Sequence, residues 1–368
     1  MFATKTLEEA DRIATICNAC RYCEGLCAVF PAIETKRAFV DADLTYFANL
    51  CHACGACYQA CQFSPPHEFN VNLPRVLAEV RTDSYKSYAW PRAFSPIFER
   101  NGLWISVITA VSVASFLLAF VALGDPAAIF ATGSEAGAFY RLMPHAAMAT
   151  LFGAVFLYAI AAMTLGFRDF WRETGPARGV AGPSIWRAMR DAGELRYLGG
   201  GDDGCRNTDD VSPDHRRIYH HLTFYGFLLC FAATLVATGY HYLWGRLAPY
   251  AWYEPPVILG TLGGIGLLFG TVGLLAAKWR RDPIMEDQPR RGMDYAFTLM
   301  LFLTALTGLL LLLLRATSAM GILLALHLGV VFALFLTLPY GKFVHGLFRF
   351  GALLRFAIER QSGVTIVE

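Results

Sequence analysis

The feature that most constrains how this 368-residue chain can fold is a cysteine spacing that occurs twice near its N-terminus. Eight of the ten cysteines form two copies of C-x2-C-x2-C-x3-C, the first over residues 17–27 and the second over residues 51–61. Bacterial ferredoxins hold a pair of [4Fe–4S] clusters with this spacing. The sequence therefore predicts two [4Fe–4S] clusters in the N-terminal part of the chain.

In such ferredoxins the fourth cysteine of each run ligates the other cluster, so the two ligand sets are mixed. One cluster is predicted to bind Cys17, Cys20, Cys23 and Cys61, and the other Cys51, Cys54, Cys57 and Cys27. Gly55 lies inside the second run, where a residue without Cβ can adopt positive φ and let the backbone approach the cluster. The proline that often follows the fourth cysteine is displaced here, to Pro31 and Pro65.

Zinc and disulfides are the alternative uses of so many cysteines. Structural zinc sites are usually built from two separated C-x2-C pairs, and a third cysteine in each run is a poor match to that pattern. Disulfides need an oxidising compartment, whereas the topology argued below places these cysteines in the cytoplasm. Iron–sulfur clusters are therefore the favoured interpretation.

The rest of the chain has the composition of a membrane protein. Hydrophobic residues make up 55% of the sequence and the mean hydropathy is +0.42, with the excess after residue 101. A helix needs ~20 apolar residues to cross a bilayer, and six stretches are long enough: 102–123, 143–165, 218–242, 255–278, 293–315 and 319–345. The predicted fold is mainly α, with a two-cluster [4Fe–4S] ferredoxin-like module followed by a six-helix integral membrane bundle like cytochrome b.

Basic residues collect on the connections that would share one side of the membrane. These are Arg168, Arg172, Arg178, Arg187, Arg190, Arg196, Arg206, Arg216 and Arg217, then Lys278, Arg280, Arg281, Arg290 and Arg291; the other connections hold only Arg141, Arg246 and Arg315. The positive-inside rule predicts a multi-pass protein of a bacterial inner membrane with both termini and the clusters in the cytoplasm. No secretory signal peptide is recognisable, and the net charge of +2 gives no reason to expect nucleic acid.

Histidines in or beside the predicted spans are the second chemical signal, since ionisable side chains within a membrane are costly and suggest function. A low-spin b haem needs two imidazoles on facing helices at the same depth. His220 and His221 begin the third span, and His345 ends the sixth, which runs the opposite way. The predicted ligands of an inner haem are therefore His345 with His220 or His221.

Ligands for a second, outer haem are less well aligned. His241 ends the third span and His145 begins the second at the outer face, while His327 lies ~12 Å below the start of the sixth span at 1.5 Å per residue. These three histidines are the candidates, so the sequence predicts one or two b haems. A histidine at a helix end can instead reach out to the interface, which is the interpretation favoured for one of His220 and His221.

Two further patterns have structural interpretations. His52 and His67 are interpreted as ordinary loop histidines, with hydrogen bonding to cluster sulfur as the alternative. The glycine run resembles a dinucleotide-binding fingerprint only superficially, because it lies inside a predicted span with no preceding strand. Close helix packing explains it better; its members are Gly260, Gly263, Gly264, Gly266, Gly270 and Gly273.

The predicted domains are a ferredoxin-like domain over residues 1–70, a linker to the membrane surface over 71–101, a transmembrane haem domain over 102–348 and a cytoplasmic tail over 349–368. No βαβ unit with a Gly-rich turn, nucleophile elbow or carboxylate cluster is recognisable. Substrate oxidation is therefore expected on another polypeptide, with this chain as an electron-transfer subunit.

Several segments resemble a known family. NACRYCEGLCAVFP (residues 18–31), LCHACGACYQAC (50–61) and PPHEF (65–69) resemble the two cluster motifs of the tricarballylate/citrate-utilisation protein B family. PYGKFVH (339–345) is similar to the last haem-bearing helix of respiratory cytochrome b subunits such as the nitrate reductase gamma chain. The resemblance covers most of the chain, because the membrane part also agrees in length and number of helices.

This resemblance implies a function. Members of the family accept electrons from a partner FAD-dependent dehydrogenase that oxidises tricarballylate to cis-aconitate, and pass them through iron–sulfur clusters and b haem to the membrane quinone pool; a fused relative works in cobalamin biosynthesis. The expected partners are therefore a cytoplasmic flavoprotein that dehydrogenates tricarballylate or a citrate-like acid, a membrane quinone and the lipid bilayer.

Two other classes of function stay open at this point. The first is a quinol-oxidising electron-input subunit of another oxidoreductase, such as a disulfide or sulfite-type reductase. The second is a non-enzymatic membrane protein, either a tricarboxylate transporter or a redox sensor. No paired broken helices or inverted repeat are visible in the hydropathy pattern, which argues against transport.

Overall fold

A computed structural model describes residues 2–123, 126–132, 135–176, 179–199 and 215–361. Within these ranges the chain consists of α-helices and short 3-10 turns, with no β-strand, so the mainly α prediction is confirmed. The helices are α1 (Lys5–Cys20), α2 (Val29–Glu34), α3 (Asp41–Leu50), α4 (Ala56–Gln59), α5 (Leu73–Ser87), α6 (Asn101–Leu123), α7 (Pro126–Ile129), α8 (Ala138–Leu142), α9 (His145–Thr174), α10 (Gly182–Gly193), α11 (Arg216–Trp244), α12 (Pro255–Arg280), α13 (Gly292–Leu314), α14 (Met320–Thr337) and α15 (Val344–Gln361).

The N-terminal helices α1 to α5 form a small domain that carries the cysteines. Its core contains Ile13 of α1, Phe47 of α3 and Leu77 of α5, all fully buried. Helix α5 lies in the segment predicted as a linker, yet it packs against α1 and α3. Asn72 caps it by accepting a hydrogen bond from the Arg75 amide, at 3.2 Å. Helix α5, to Ser87, therefore packs with the helices that carry the cysteines, and the predicted boundary at residue 70 stays a prediction.

Within the described ranges, six helices are long and apolar enough to cross a membrane, the same number as the predicted spans. They are α6, α9, α11, α12, α13 extended back to Gln288, and α14 extended to Tyr340. Helix α14 is the most enclosed and packs against α6, α9 and α13. The outward faces of the other spans stay apolar and exposed, as expected for surfaces that meet lipid. Arg178 and Arg206, used above to orient the spans, lie outside the described residues.

The glycine run brings α11 and α12 close together. A Cβ built on Gly263 would lie 2.7 Å from the carbonyl oxygen of Gly226 on α11, and a Cβ on Gly270 would lie 2.5 Å from Oγ1 of Thr223. Small residues let membrane helices approach at backbone distance. The packing interpretation of these glycines is confirmed.

The predicted sixth span, residues 319–345, is broken in the structure. Helix α14 ends at Thr337, a 3-10 turn covers Leu338–Tyr340, and α15 starts afresh at Val344. Pro339 has no amide hydrogen to donate and cannot continue the α-helix. His327 and His345 therefore lie on different helices. Residues 349–361 of the predicted tail form most of α15, and residues 362–368 lie outside the described part.

Helix α15 joins the membrane bundle to the N-terminal domain. Arg355 of α15 donates to Asp43 of α3 at 2.8 Å and to Glu359 at 2.8 Å, and its guanidinium lies 3.9 Å from the ring centroid of Tyr46. Arg355 and Asp43 are 6% and 7% exposed. A buried ion pair is held only where its geometry and hydrogen bonds are satisfied. This contact therefore fixes how the cysteine domain sits on the bundle.

Candidate functional site

The eight repeat cysteines lie in two groups. The thiol of Cys17 has Cys61, Cys23 and Cys20 as its neighbours; these four are called the first thiol set. Cys27 lies beside Cys54 and Cys51, and Cys57 beside all three; these are called the second thiol set. The structure thus gathers the same cysteines that the spacing groups together, with Cys27 and Cys61 exchanged between the runs. That each set binds iron stays a prediction.

The crowding within each set has an electrostatic consequence. Burial, followed by the neighbouring thiols, raises the pKa of Cys17 to about 12 and that of Cys23 to about 11. The same causes raise the pKa of Cys27 and Cys57. Thiolates packed this closely repel one another unless bound iron neutralises them. The chemistry of the donors therefore fits an iron–sulfur cluster in each set.

The two loops use the same backbone device. Arg21 follows Cys20 and Gly55 follows Cys54, and both adopt the left-handed conformation, with φ of 55° and 90°. Each residue reverses the chain so that the next cysteine can face the first two. The expectation of positive φ at Gly55 is confirmed. A Cβ at Gly55 would also lie 2.8 Å from Sδ of Met285, so the end of that flexible side chain would have to move.

The arrangement does not suit a single metal ion. Among the described residues, no group of three or more histidine, cysteine, aspartate or glutamate side chains is placed to hold one ion. In a cubane, by contrast, each thiolate binds a different iron, so its ligands lie further apart.

The first thiol set lies near the surface. Tyr22, between Cys20 and Cys23, is 72% exposed, and Arg21 beside it is also exposed. A small cavity of about 30 Å³ touches Cys17, Cys20, Cys23 and Cys61, and no lysine or arginine lines it. This set is therefore the part of the cysteine domain that another protein can reach most easily.

The second thiol set faces the membrane bundle instead. Its loop residues His52, Ala53 and Cys54 form part of the wall of a cavity of about 570 Å³ between the cysteine domain and the bundle. His220 of α11 and His345 of α15 lie on the same wall. Cavities of about 300–1,000 Å³ are typical of sites for small molecules and cofactors.

The rings of His220 and His345 are placed as a haem would require. Their centroids are 6.1 Å apart and their planes are inclined by 74°. Two imidazole nitrogens bound ~2 Å from one metal place the centroids ~6 Å apart, once ~1 Å from ring centre to nitrogen is added on each side. The Nδ1 of His220 is buried without a hydrogen-bond partner. The separation fits one iron between the two rings.

Hydrogen bonding prepares His345 to be a ligand. Its Nδ1 donates to the carbonyl oxygen of Lys342, which leaves the lone pair of Nε2 free. Burial, and then the nearby charge of Arg349, hold the pKa of His345 well below its usual range. The imidazole is therefore neutral, as a metal ligand must be.

The other predicted haem ligands are placed differently. His221 lies 3.2 Å from the carbonyl oxygen of Gly193, and its ring contacts Tyr225 rather than His345. Of the adjacent histidines His220 and His221, His221 is therefore the one that does not face His345 on α15. His327 is hydrogen-bonded to Thr307 of α13, at 3.0 Å.

His145 and His241 stack on each other, with centroids 3.4 Å apart and planes inclined by 14°. That stacking leaves no room for an iron between the two rings. No ring contact in the described part of the chain joins His327 to either of them. The geometry therefore gives no support to an outer haem, which stays a prediction.

The sequence favours an ordinary loop histidine at His52, but the structure buries it. It is only 6% exposed, and its Nδ1 donates to the carbonyl oxygen of Leu50 at 2.9 Å. Burial and then Arg349 hold its pKa well below the usual range, so it is neutral. It lines the same cavity as Cys54, His220 and His345. Its position directly after Cys51 was visible in the sequence, but its burial against the bundle was not.

A charged network lines the end of the cavity that faces α12 and α13. Asp294 accepts from Lys278 and from Lys342, both at 2.7 Å, and Lys278 also donates to Glu286 at 2.9 Å. Burial lowers the pKa of Lys342 to about 8 despite Asp294. The two lysines tie α12, α13 and the turn before α15 together.

Comparison with known proteins gives a consistent match. The family profile described as “Citrate utilization protein B” matches residues 100–365, and that described as “Citrate utilization protein B Fer4-like domain” matches residues 10–87. A relative from Escherichia coli, “Citrate utilization protein B”, is 49% identical over 361 residues, which cover 98% of this chain and 94% of the relative. No solved structure matches the chain. The two matched segments meet between α5 and α6.

Proposed function

The chain belongs to the citrate utilization protein B family, and from that premise we propose that it is a membrane electron-transfer subunit. It reoxidises a partner FAD-dependent dehydrogenase of tricarballylate or a citrate-like acid, and delivers the electrons to membrane quinone. It does so with two [4Fe–4S] clusters and a b haem. The chain itself oxidises no organic substrate.

One observation carries this proposal: Cys54 of the second thiol set lines the same cavity as His220 and His345. When bound, the clusters and the haem supply one-electron carriers. The residues of this chain hold them next to one another and exclude water. The cysteine sets provide the thiolates, and His345, whose Nδ1 proton is committed to Lys342, provides a neutral ligand nitrogen.

The partner assignment rests on the family likeness and on exposure. The first thiol set is accessible at Tyr22, whereas the second is enclosed by the bundle. A flavoprotein would therefore deliver electrons at the first set. Tyrosine is enriched among residues that dominate the energy of protein interfaces, and Tyr22 would contact the partner directly.

The membrane assignment rests on the six apolar helices. We place the cysteine domain in the cytoplasm, because arginine and lysine concentrate on the connections at that end of the bundle. Quinone dissolves in the same bilayer and would accept the electrons within the bundle. The network of Lys278, Asp294 and Lys342 offers hydrogen-bond donors and protons near the cavity.

The test uses the detergent-solubilised chain together with its companion flavoprotein. Addition of the flavoprotein's acid substrate under anaerobic conditions should bleach the cluster absorbance and develop a reduced b-haem band. Addition of a water-soluble quinone analogue should then reverse both changes. His345→Ala should abolish the haem band, while His221→Ala serves as the matched control.

Two outcomes would contradict the proposal. Absence of cluster or haem reduction by the substrate-loaded flavoprotein would exclude the coupling to a dehydrogenase. Reduction of the clusters by quinol, without reduction by the flavoprotein, would show that electrons run in the opposite direction, as in an electron-input subunit of another oxidoreductase.

A further inference from the structure

Three arginines converge on the backbone of the second thiol set. Arg81 of α5 and Arg349 of α15 both donate to the carbonyl oxygen of Cys51, at 2.8 and 2.9 Å. Arg216 of α11 donates to the carbonyl oxygen of Ala53, at 2.9 Å. We call Arg81, Arg216 and Arg349 the arginine clamp. Their charges lie directly beside the loop that carries Cys51 and Cys54.

Two members of the arginine clamp are cations without an anionic partner. In the portion of the chain that the structure describes, neither Arg81 nor Arg349 forms an ion pair with a carboxylate. Arg81 is 6% exposed, and the Nε of Arg349 is buried without a hydrogen-bond partner. Burial, and then the charge of Arg81, lower the pKa of Arg349 to about 10, so it is still charged at neutral pH.

Burying cations in this way is unfavourable unless a negative charge lies close by. Of the described acidic residues that line the same cavity, Glu286 and Asp294 already pair with lysines and Asp287 pairs with Arg290, so we assign the counter-charge to the second thiol set. An iron–sulfur cube with four thiolates carries net negative charge, which increases by one when the cluster is reduced. The positive charge of the arginine clamp therefore matches what the loop would hold.

Two members of the arginine clamp lie on the helices that carry the haem candidates. Arg216 precedes His220 by four residues on α11, and Arg349 follows His345 by four residues on α15. Residues four apart lie on the same face of a helix. Each helix thus presents an imidazole to the cavity and, one turn away, a guanidinium to the second loop.

The first thiol set has a different electrostatic environment. Arg21 is the nearest arginine in its loop; it is exposed and donates to the carbonyl oxygen of Asn18 at 3.2 Å. The acidic Glu24 and Glu34 lie near it and counter its charge. Water also screens charges at this surface. The first loop therefore lacks the concentrated positive charge of the second.

We infer that the arginine clamp raises the reduction potential of the second cluster above that of the first. A nearby buried cation stabilises the reduced, more negative state. An electron received at the exposed first cluster then moves to the second: one cluster loses one electron, the other gains it, and no proton or bond changes. This inference rests on the proposed function, because it assumes that both thiol sets hold clusters.

The test is an anaerobic redox titration of the full solubilised chain, followed by EPR. Cys20→Ser, which alters only the first set, identifies the signal of the first cluster. Arg349→Gln and Arg216→Gln remove one positive charge each while keeping an amide donor. We expect each variant to lower the midpoint potential of the second cluster. At a fixed applied potential the ratio of oxidised to reduced cluster should rise at least tenfold, which corresponds to 59 mV for one electron.

Controls separate charge from disruption. Arg349→Lys, which keeps the charge, should recover most of the lost potential. Arg21→Gln removes the exposed arginine of the first loop and should leave the second cluster unchanged. The inference is overturned if the wild-type second cluster has the lower potential, or if the arginine variants shift both clusters equally or neither.

The same titration distinguishes this failure from failure of the proposed function. A wild-type chain without two cluster signals would contradict the proposed function itself. Two clusters of which the second does not have the higher reduction potential would contradict only the role of the arginine clamp. If Arg349→Gln loses its clusters, the role of the arginine clamp is still tested by the order of the two cluster potentials in the wild-type chain and by the potential of the second cluster in Arg216→Gln.

Discussion

The two cysteine loops have the same spacing, and each has a residue in the left-handed conformation after its second cysteine, yet their surroundings differ. The first ends at the surface, where Tyr22 is exposed. The second is enclosed by α5, α11 and α15 and held by the arginine clamp. The comparison teaches that spacing selects the ligands, whereas the role of each cluster is set by helices far away in the chain.

The largest expected effect comes from removing one cysteine ligand from each loop in turn. Cys20→Ser and Cys54→Ser should each lose about half of the cluster iron, since each serine removes one thiolate ligand. In Cys54→Ser the midpoint potential of the haem, measured by optical redox titration, should shift, because Cys54 lines the same cavity as His220 and His345. In Cys20→Ser it should not. A shift in Cys20→Ser alone would reverse the order of the two clusters.

Removal of single histidines tests which of them bind the proposed haem beside the second loop. His345→Ala should lose the b haem almost completely, because His220 alone cannot supply both axial ligands. His221→Ala should keep it, since His221 contacts Gly193 and Tyr225 instead. The pyridine haemochrome assay of each purified variant measures this. Retention of haem by His345→Ala and its loss from His221→Ala would show that the wrong member of the adjacent pair has been chosen.

The contact between α15 and α3 should matter for docking. Among the described residues, Arg355→Met leaves buried Asp43 with Lys36, at 3.4 Å, as its remaining ion-pair partner. Removing one partner of a buried ion pair costs roughly 3 kcal/mol. We expect a lower thermal unfolding midpoint and faster proteolysis between the cysteine domain and the bundle. Arg360→Met, on the exposed face of α15, is the control and should change stability by less than ~0.5 kcal/mol. Equal midpoints for the two variants would contradict the docking role.

A smaller effect is expected from glycine substitution. Gly55→Ala places a residue with Cβ at φ of 90° and close to Met285, at a cost of ~1–2 kcal/mol for the backbone alone. Gly25→Ala in the first loop meets nothing within 4 Å. The second cluster should therefore be lost faster in air from Gly55→Ala, with no change in Gly25→Ala. Similar loss rates would mean that the left-handed turn does not hold the second loop.

Local sequence signals predicted a large part of the fold. The first span was predicted at 102–123 and the helix covers Asn101–Leu123, because a run of apolar residues long enough for a bilayer is itself sufficient evidence. The grouping of the cysteines also follows from spacing within a few residues. These features depend on neighbours in the sequence and need no knowledge of the tertiary structure.

The rest depends on contacts between distant residues. Arg349 reaches Cys51 across 298 positions in the sequence, and no local pattern distinguishes it from other arginines of α15. The choice between His220 and His221 depends on the rotation of α11 against α15. Helix α5 lies in the segment predicted as a linker, although Pro74 suits the first turn of a helix.

The most direct test of the central claim is a count of the cofactors in the purified wild-type chain. Iron, haem and EPR signals should be quantified under anaerobic conditions. Our account predicts two [4Fe–4S] clusters and one bis-histidine b haem per chain. Clusters without haem, or haem without clusters, would contradict it.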